Sequence, residues 1–556
     1  MHTEKIQMTK KQIRLAIVLG IAFVVLLLTY FIVLRPIINE VIEDIKPPLN
    51  LENGEVEGAN DRIMLFPQVE RASIQSIEVK NSHGTYKFVR NKNNSFDIEG
   101  SEGTAYDAEL FSTLVTDCGY TLSKVKVAND NPDKLSDYGL DEASNPAYYI
   151  LTSVEGVSHK VWVGTIIPSN GGYYVRYEGR NTVYVLDSTL ETTVLAPIEA
   201  FVTPTLIMPT SLTTYYMLDD LAIFRGTFTP KLDDKGDETT GGASATSDKG
   251  EDSAGGVTSD KKEQTPIVRF HYLKDEEKAK LDINATFWMD YPGNGAYYAS
   301  TYVDGVAQQF IAYAGSECVK LAPTDDDLKK YGCLDADYTL YVVNNQAVTD
   351  ANKKTQYIAI PNFVYFSEMQ KDEETGEQFR YAYSVLFDLV AKVPYYDCLF
   401  LEYDLNTWVS AQLFNTNINK VSYVTVESGD TNISFTLRGQ DSALVVEDNA
   451  GHFPEVKNFR KFYQVMLGLM KGGNVSLTEA QCKALTSDEA NVTAKLTVKM
   501  HSGRELVYRF YSYGVQTYYT VNGEGEFYLP TAQVTKLIND AVRVTRDEVV
   551  NPDNAV

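Results

Sequence analysis

Residues 132–141 read PDKLSDYGLD, and residues 324–335 read TDDDLKKYGCLD. Both contain Asp-Xaa-Leu-Xaa-Xaa-Tyr-Gly followed by Leu-Asp, directly before a predicted strand. Glycine adopts the left-handed conformation without steric cost, so the pattern predicts a helical turn that ends at glycine. We expect the leucine and tyrosine to hold this turn against a sheet. The predicted structural residues are Leu135, Tyr138, Gly139, Leu140 and Asp141 in the first copy and Leu328, Tyr331, Gly332, Leu334 and Asp335 in the second.

The first copy lies within residues 69–210, which read as one folded module. Three short stretches with strand-like alternation come first, at residues 77–79, 86–89 and 96–98, separated by Asn- and Gly-containing turns. A predicted helix follows, and after the motif come four more candidate strands between residues 148 and 186. The order predicts an antiparallel sheet with packed helices, an α+β module.

Residues 416–545 repeat this order of strands and helices. Tyr173-Tyr174 and the strand 183–186 in the first module correspond to Tyr518-Tyr519 and the strand 527–529 in this one. Repetition at this scale is typical of related structural modules. The sequence therefore predicts two matching α+β modules, one at residues 69–210 and one at residues 416–545.

Residues 211–415 read as a less regular version of the same module. The apolar stretches 221–225 and 267–272 are predicted to be neighbouring strands. Between them, residues 230–265 are rich in Gly, Ser, Thr, Asp and Lys and contain no aromatic residue. Such a composition cannot bury enough apolar surface to offset the entropy of ordering, which predicts a disordered insertion.

At the repeated motif the chain resembles the bacterial family called domain of unknown function 4340. The similarity extends to Val163-Gly164 and to the strand Tyr173-Tyr174-Val175-Arg176. The resemblance implies a membrane-anchored exported protein associated with the permease and auxiliary subunits of ABC-type systems similar to those of gliding motility. It implies no catalytic residues, because none is established for the family.

Residues 15–34, LAIVLGIAFVVLLLTYFIVL, carry no charge. A helix of about 20 residues spans roughly 30 Å, the thickness of the bilayer core, so this segment is predicted to cross a membrane once. Lysine and arginine predominate in residues 1–14, which keeps the N-terminus cytoplasmic and exports the rest. The run is longer than a signal-peptide core and has no Ala-Xaa-Ala behind it, which favours an uncleaved anchor. Residues 35–68 are predicted to form a juxtamembrane helix and stalk, and residues 546–556 a C-terminal tail.

The charge and cysteine content exclude several classes of protein. The chain has 556 residues and a net charge of −25, so a nucleic-acid partner is not expected. The five cysteines are scattered, and their odd number leaves at least one thiol free. We expect buried free thiols, with a Cys318–Cys333 disulfide as the alternative.

No catalytic or metal-binding pattern is present in the sequence. The histidines His83, His159, His271, His452 and His501 are isolated, and no zinc, Walker or nucleophile-elbow motif occurs. The run 325–327 of three aspartates lacks the spacing of a calcium loop and is predicted to begin a helix. The Tyr-Tyr pairs could form a binding platform, although neighbouring strand residues face opposite sides. We predict no cofactor and no metal.

Two classes of function remain. The first is a non-catalytic auxiliary or interaction subunit of a membrane complex, with the lipid bilayer and a membrane protein such as an ABC-type permease or auxiliary subunit as partners. The alternative is an extracytoplasmic enzyme or binding protein that acts on cell-envelope polysaccharide through scattered carboxylates, which spacing cannot reveal. A deep pocket with convergent acids of perturbed pKa would favour the second class.

Overall fold

The structure is a computed structural model that describes residues 10–35, 49–128, 132–210, 218–228, 265–281, 285–349 and 353–553. All but the last residue of the predicted insertion 230–265 lies outside the described residues, as does most of the predicted juxtamembrane helix. The chain forms two compact units, one of residues 1–100 and 108–197 and the other of residues 101–107 and 198–556.

At the N-terminus, an α-helix covers Lys10–Thr29 and a π-helix continues over Tyr30–Leu34. Large apolar side chains are exposed along this segment from Val18 to Leu34. Within the described part of the chain, no helix has the length and apolar character needed to cross a membrane. The predicted transmembrane helix is therefore not confirmed.

The first unit contains a two-stranded ribbon and an eight-stranded antiparallel sheet. The ribbon strands are β1 (Val56–Glu57) and β2 (Ile63–Met64). The sheet strands are β3 (Ile74–Asn81), β4 (Gly84–Arg90), β5 (Phe96–Ile98), β6 (Val125–Ala128), β7 (Ala147–Ser153), β8 (Ser158–Ile166), β9 (Gly172–Tyr177) and β10 (Val183–Asp187).

The second unit contains two larger antiparallel sheets, the second and third of the chain. The strands of the second sheet are β11 (Leu218–Arg225), β12 (Val268–Tyr272), β13 (Phe287–Tyr291), β14 (Glu317–Leu321), β15 (Tyr338–Thr349), β16 (Thr355–Phe366), β17 (Gln370–Lys371), β18 (Gln378–Ser384) and β19 (Leu389–Pro394). Those of the third are β20 (Val421–Ser428), β21 (Thr431–Arg438), β22 (Val445–Asp448), β23 (Gly473–Asn474), β24 (Ala494–Met500), β25 (Glu505–Tyr513), β26 (Gln516–Val521) and β27 (Glu524–Pro530).

The three large sheets share one strand order. The first is ordered β5-β4-β3-β7-β8-β9-β10-β6, the third β22-β21-β20-β24-β25-β26-β27-β23, and the second follows the same path apart from the extra β17 beside β18. With β17 left out of the count, the fourth strand along the chain crosses in each sheet to the far edge and pairs with the eighth. This agreement confirms the repeated α+β sheet modules.

Each large sheet has a helix between its third and fourth strands. These helices are Ala108–Gly119, Thr301–Gln309 and Val456–Leu467, and each buries one apolar face. In the third module the buried face includes Phe459, Phe462 and Met466, at the spacing of an amphipathic helix. Shorter helices follow the fourth strand in the second and third modules, at Asp325–Lys330 and Glu479–Thr486. The other described α-helices of the second unit are Asp275–Leu281, Leu405–Trp408 and Thr531–Thr545.

The insertion of the middle module separates two paired strands. Leu221 in β11 lies opposite Phe270 in β12, and Ile223 opposite Val268, in antiparallel register. The strand prediction at residues 221–225 and 267–272 is therefore confirmed.

The segment assigned to a stalk from its polarity differs in the structure. Leu65 and Phe66 are fully buried in the first unit, and the Glu55 carboxylate is buried as well. The segment packs because its acidic residues find partners in the sheet, the half-buried Lys126 and the buried Tyr184, which its own sequence does not contain. The folded body of the first unit thus begins by residue 52 instead of 69.

Candidate functional site

The first motif copy is a short 3-10 turn over Pro132–Tyr138, packed on the first sheet. Leu135, Leu140 and Val183 form a buried cluster. The Leu140 amide donates to the Leu135 carbonyl over 3.0 Å, which closes the turn. Gly139 has φ +65°, the left-handed conformation expected of a glycine that ends a helical turn.

The second copy lies on the helix Asp325–Lys330 and closes in the same way, with one difference in residue assignment. The Cys333 amide donates to the Leu328 carbonyl over 2.8 Å, and Gly332 has φ +70°. Cys333 is buried with Leu328 and Val390, whereas Leu334 is 41% exposed. Counting five residues on from the leucine, Cys333 and not Leu334 occupies the position of Leu140. Spacing from the first leucine thus decides which residue is buried. The shared Leu-Asp pair does not mark equivalent positions in the two copies.

The motif tyrosines make the same ring contact in both copies. Tyr138 meets Tyr174 of β9 with ring centroids 4.8 Å apart and an interplanar angle of 64°. Tyr331 meets Tyr381 of β18 at 4.9 Å and 64°. Edge-to-face geometry of this kind stabilises aromatic pairs. In both modules the tyrosine is half-buried and fixes the turn to the seventh strand.

The Val163-Gly164 step allows the motif turn to approach β8. A Cβ atom on Gly164 would lie 2.2 Å from the Tyr138 carbonyl oxygen and 2.9 Å from Leu140 Cγ. Thr165 donates its hydroxyl to the same carbonyl over 3.2 Å. Glycine at this position is therefore required by a close backbone contact.

The aspartates of the motif have no shared partner. Asp141 accepts a hydrogen bond from the Ser144 hydroxyl, and Asp335 is exposed. The ten motif residues thus either pack the turn against the sheet or lie on the surface. They do not form a cluster that could serve as a catalytic or metal-binding site.

A shallow cleft of about 510 Å³ lies at one edge of the first unit. It is formed where residues 52–54 and 66–67 meet strands β8 and β9. Its lining residues are Glu52, Asn53, Gly54, Phe66, Pro67, His159, Tyr177, Glu178, Gly179 and Arg180.

Stacked rings and one arginine hold the cleft wall in place. His159 stacks face to face on Phe66 at 4.0 Å, and its Nδ1 shares a hydrogen bond of 3.1 Å with the Tyr177 hydroxyl. Arg180 donates to the carbonyls of Leu65 and Asn53 over 2.8 and 2.9 Å. Burial, together with the Arg180 charge, lowers the pKa of His159, so its imidazole is neutral at pH 7.

A polar cluster lies behind the cleft. Lys126 bridges Glu52 and Glu55 at 2.8 and 3.2 Å, and Tyr184 donates its hydroxyl to Glu55. Burial opposes ionisation of Glu52, but hydrogen bonds from Lys126 and Thr182 outweigh it and lower the pKa of that carboxyl. Burial and the Glu55 hydrogen bond raise the pKa of Tyr184. Both carboxylates are thus used to fix residues 52–55 to the sheet.

The histidine and arginine of the cleft are engaged with protein groups, and its lining residues include no activated nucleophile. Its histidine is hydrogen-bonded to a tyrosine, and its arginine donates to backbone carbonyls that hold the segment 52–66. Among the described residues, no group of three His, Cys, Asp or Glu side chains is placed to hold a metal ion. Catalysis through paired carboxylates also lacks support here, because Glu52 is committed to Lys126 and Thr182.

Sequence reasoning missed the cleft residues for two different reasons. His159 and Tyr177 lie on neighbouring strands whose register, Val161 opposite Tyr177, could have been estimated from the two strand patterns. Phe66 and Arg180 come together over 114 residues of chain, and no local pattern signals that contact. In the Tyr-Tyr pairs of β9 and β26, Tyr173, Tyr518 and Tyr519 are buried and Tyr174 packs against Tyr138, so these two pairs form no platform.

The cysteines and the aspartate run have structural roles. All five cysteines are free, so the alternative of a Cys318–Cys333 disulfide is wrong. Burial raises the pKa of Cys318 and of Cys333 to about 12, which makes both thiols unreactive at neutral pH. Asp327 forms a capping box with Thr324 at the start of its helix.

Residues 115–240 match a family model described as Domain of unknown function (DUF4340). Over these residues the chain resembles that family. The matched range includes the first motif copy, Gly164 and β9, and the resemblance stated from those residues is confirmed. No curated protein and no solved structure matches the chain.

Proposed function

We propose that this chain is a single-pass, membrane-anchored protein whose extracytoplasmic bulk serves as a non-catalytic interaction subunit of an ABC-type membrane complex. Residues 15–34 would be the anchor, and the three sheet modules would lie outside the membrane.

The observation that carries the proposal is the exposure of the N-terminal segment. Every large apolar side chain from Leu19 to Leu28 is exposed, on all sides of the helix. A surface helix covers one apolar stripe and turns a polar face to water. A helix that is apolar all round needs an apolar medium, and the bilayer provides one.

The interaction role is supported by what the modules use their polar groups for. Charged residues of the cleft and the motif tyrosines hold one element to another, as Arg180 and Tyr138 do. Three sheets of one topology offer three related surfaces. Such surfaces suit binding to other proteins of the complex. The resemblance to the matched family implies that these partners are permease and auxiliary subunits of an ABC-type system.

The experiment is purification of the full chain from native membranes, compared with a variant whose residues 15–34 are replaced by an unrelated transmembrane segment. We expect the same membrane proteins to co-purify with both chains, because the modules make the contacts. Loss of partners in the exchanged chain would assign recruitment to the helix. Absence of stoichiometric membrane proteins from both preparations, together with hydrolysis of envelope glycans, would favour the polysaccharide-acting alternative.

A further inference from the structure

The hairpin β15–β16 departs from the repeat that otherwise relates the three sheets. Its strands have 12 residues each, whereas the corresponding hairpins in the first and third sheets have strands of 7 and 9 residues. Within the described residues, neighbouring strands pair only with its base: β11 pairs with β15 up to Asn344, and β18 pairs with β16 from Val364 onwards. The outer residues, 345–349 and 355–360, form a two-stranded arm.

The arm carries exposed apolar side chains on both faces, among polar ones. Tyr357 lies opposite Ala347 and Ile358 opposite Gln346, so the two neighbouring side chains point to opposite faces. Tyr357 is 62% exposed, Ile358 48% and Val348 47%. A hairpin that packs on a protein surface needs one apolar face only. Apolar groups on both faces fit a medium that surrounds the tip.

The charge of the arm differs from that of the rest of the chain. Between Tyr338 and Phe366 the sequence has one acidic residue, Asp350, and two basic ones, Lys353 and Lys354, in a chain of net charge −25. Both lysines are exposed beside the tip. Lysines near an anionic lipid surface strengthen binding by about fivefold each.

We propose that the arm enters the headgroup region of the lipid bilayer, with Val348, Tyr357 and Ile358 at the acyl boundary and the two lysines on anionic headgroups. Tyrosine favours this boundary because its ring is apolar and its hydroxyl is polar. No described strand pairs with the outer edges of residues 345–349 and 355–360, and unpaired backbone groups require water or headgroups, so the arm stays in the interface and does not cross the core. The inference rests on the proposed anchor, which brings the modules to a membrane.

The test uses the full chain reconstituted into vesicles of phosphatidylcholine with about 30% phosphatidylglycerol, a composition chosen for its anionic surface. Cys482→Ser removes the partly exposed thiol, and Gln356→Cys carries an environment-sensitive dye. The matched control places the dye at Asp430→Cys, in the exposed β20–β21 turn of the third sheet. Brominated lipids then report contact with the acyl chains.

We expect quenching of the dye at residue 356 to exceed that at residue 430 at least twofold. The variants Lys353→Glu/Lys354→Glu and Tyr357→Ser/Ile358→Ser should lower it to the control level while thermal unfolding stays unchanged, because these side chains are exposed. If the chain resists carbonate extraction but quenching is equal at both positions, the membrane contact of the arm is wrong and the proposed anchor is unaffected. The same holds if the dye responds only when membrane proteins are added. Extraction of the chain by carbonate would overturn the anchor and with it this inference.

Discussion

At the residue scale, the two leucines that precede aspartate in the motif copies, Leu140 and Leu334, should contribute very differently to stability, because only Leu140 is buried. Leu140 is 1% exposed, and its replacement by alanine leaves a cavity that costs about 2–4 kcal/mol. Leu334 is exposed in the second copy, and Leu334→Ala should change stability by less than about 0.5 kcal/mol. Equilibrium urea unfolding measures both. A large loss for Leu334→Ala would show that Leu334, and not Cys333, fills the position of Leu140.

Gly164 gives a second prediction at this scale. Gly164→Ala forces a methyl group to within 2.2 Å of the Tyr138 carbonyl, so β8 or the motif turn must move. Overpacking of this kind costs about 1–3 kcal/mol. Gly171→Ala is the control, since the nearest atom to its Cβ lies 3.6 Å away. Equal melting temperatures for the two variants would contradict the close contact.

The pKa values of two histidines should be shifted in opposite directions from that of a free histidine. Burial and the Arg180 charge lower the pKa of His159, whereas the hydrogen bond that His271 Nδ1 donates to the Asp290 carboxylate raises the pKa of His271. For His159 the unfolded state binds more protons below about pH 6.5, so its contribution to stability is complete above that pH and lost as pH falls through the folded pKa. For His271 the contribution is complete below about pH 6.5 and lost as pH rises through the folded pKa.

Imidazole proton shifts measured by NMR across this range give both pKa values directly. The variant Asp290→Asn should bring the His271 value down toward that of a free histidine and leave His159 unchanged. A His159 pKa at or above the free value would disprove the buried, Arg180-facing environment.

At the element scale, the insertion should be removable without separating the strands that flank it. β11 and β12 pair directly, so a chain cut within residues 231–264 keeps its two fragments in one sheet. We expect mild protease to cut there and both fragments to elute together in gel filtration without denaturant. Separation of the fragments under native conditions would show that residue 230 marks a boundary between independent domains.

The elements also show why part of the fold could be predicted from sequence. In strands such as β21, buried residues alternate with more exposed ones, and this period of two is readable without the structure. Residues 49–66 could not be assigned, because Glu55 reads as a solvent residue until its partners Lys126 and Tyr184 are known. The cleft likewise joins segments far apart in sequence, and periodicity carries no information about such contacts.

For the whole molecule, the shared strand order of the three sheets supports one repeated unit that has been varied locally. The variations are the place to look for function: the 12-residue hairpin strands of the second sheet and the apolar N-terminal segment have no counterpart in the other modules. Both carry exposed apolar side chains, and both are the segments that we propose to contact the membrane.

The most direct test of this account is the side of the membrane on which each end of the full chain lies. In a Cys482→Ser background, Thr3→Cys introduces a thiol ahead of residues 15–34 in the sequence, and Val515→Cys introduces one at the exposed β25–β26 turn. In spheroplasts treated with a membrane-impermeant maleimide, we predict immediate labelling at residue 515 and labelling at residue 3 only after lysis. Labelling of both positions, or of neither, before lysis would contradict a chain anchored once by residues 15–34.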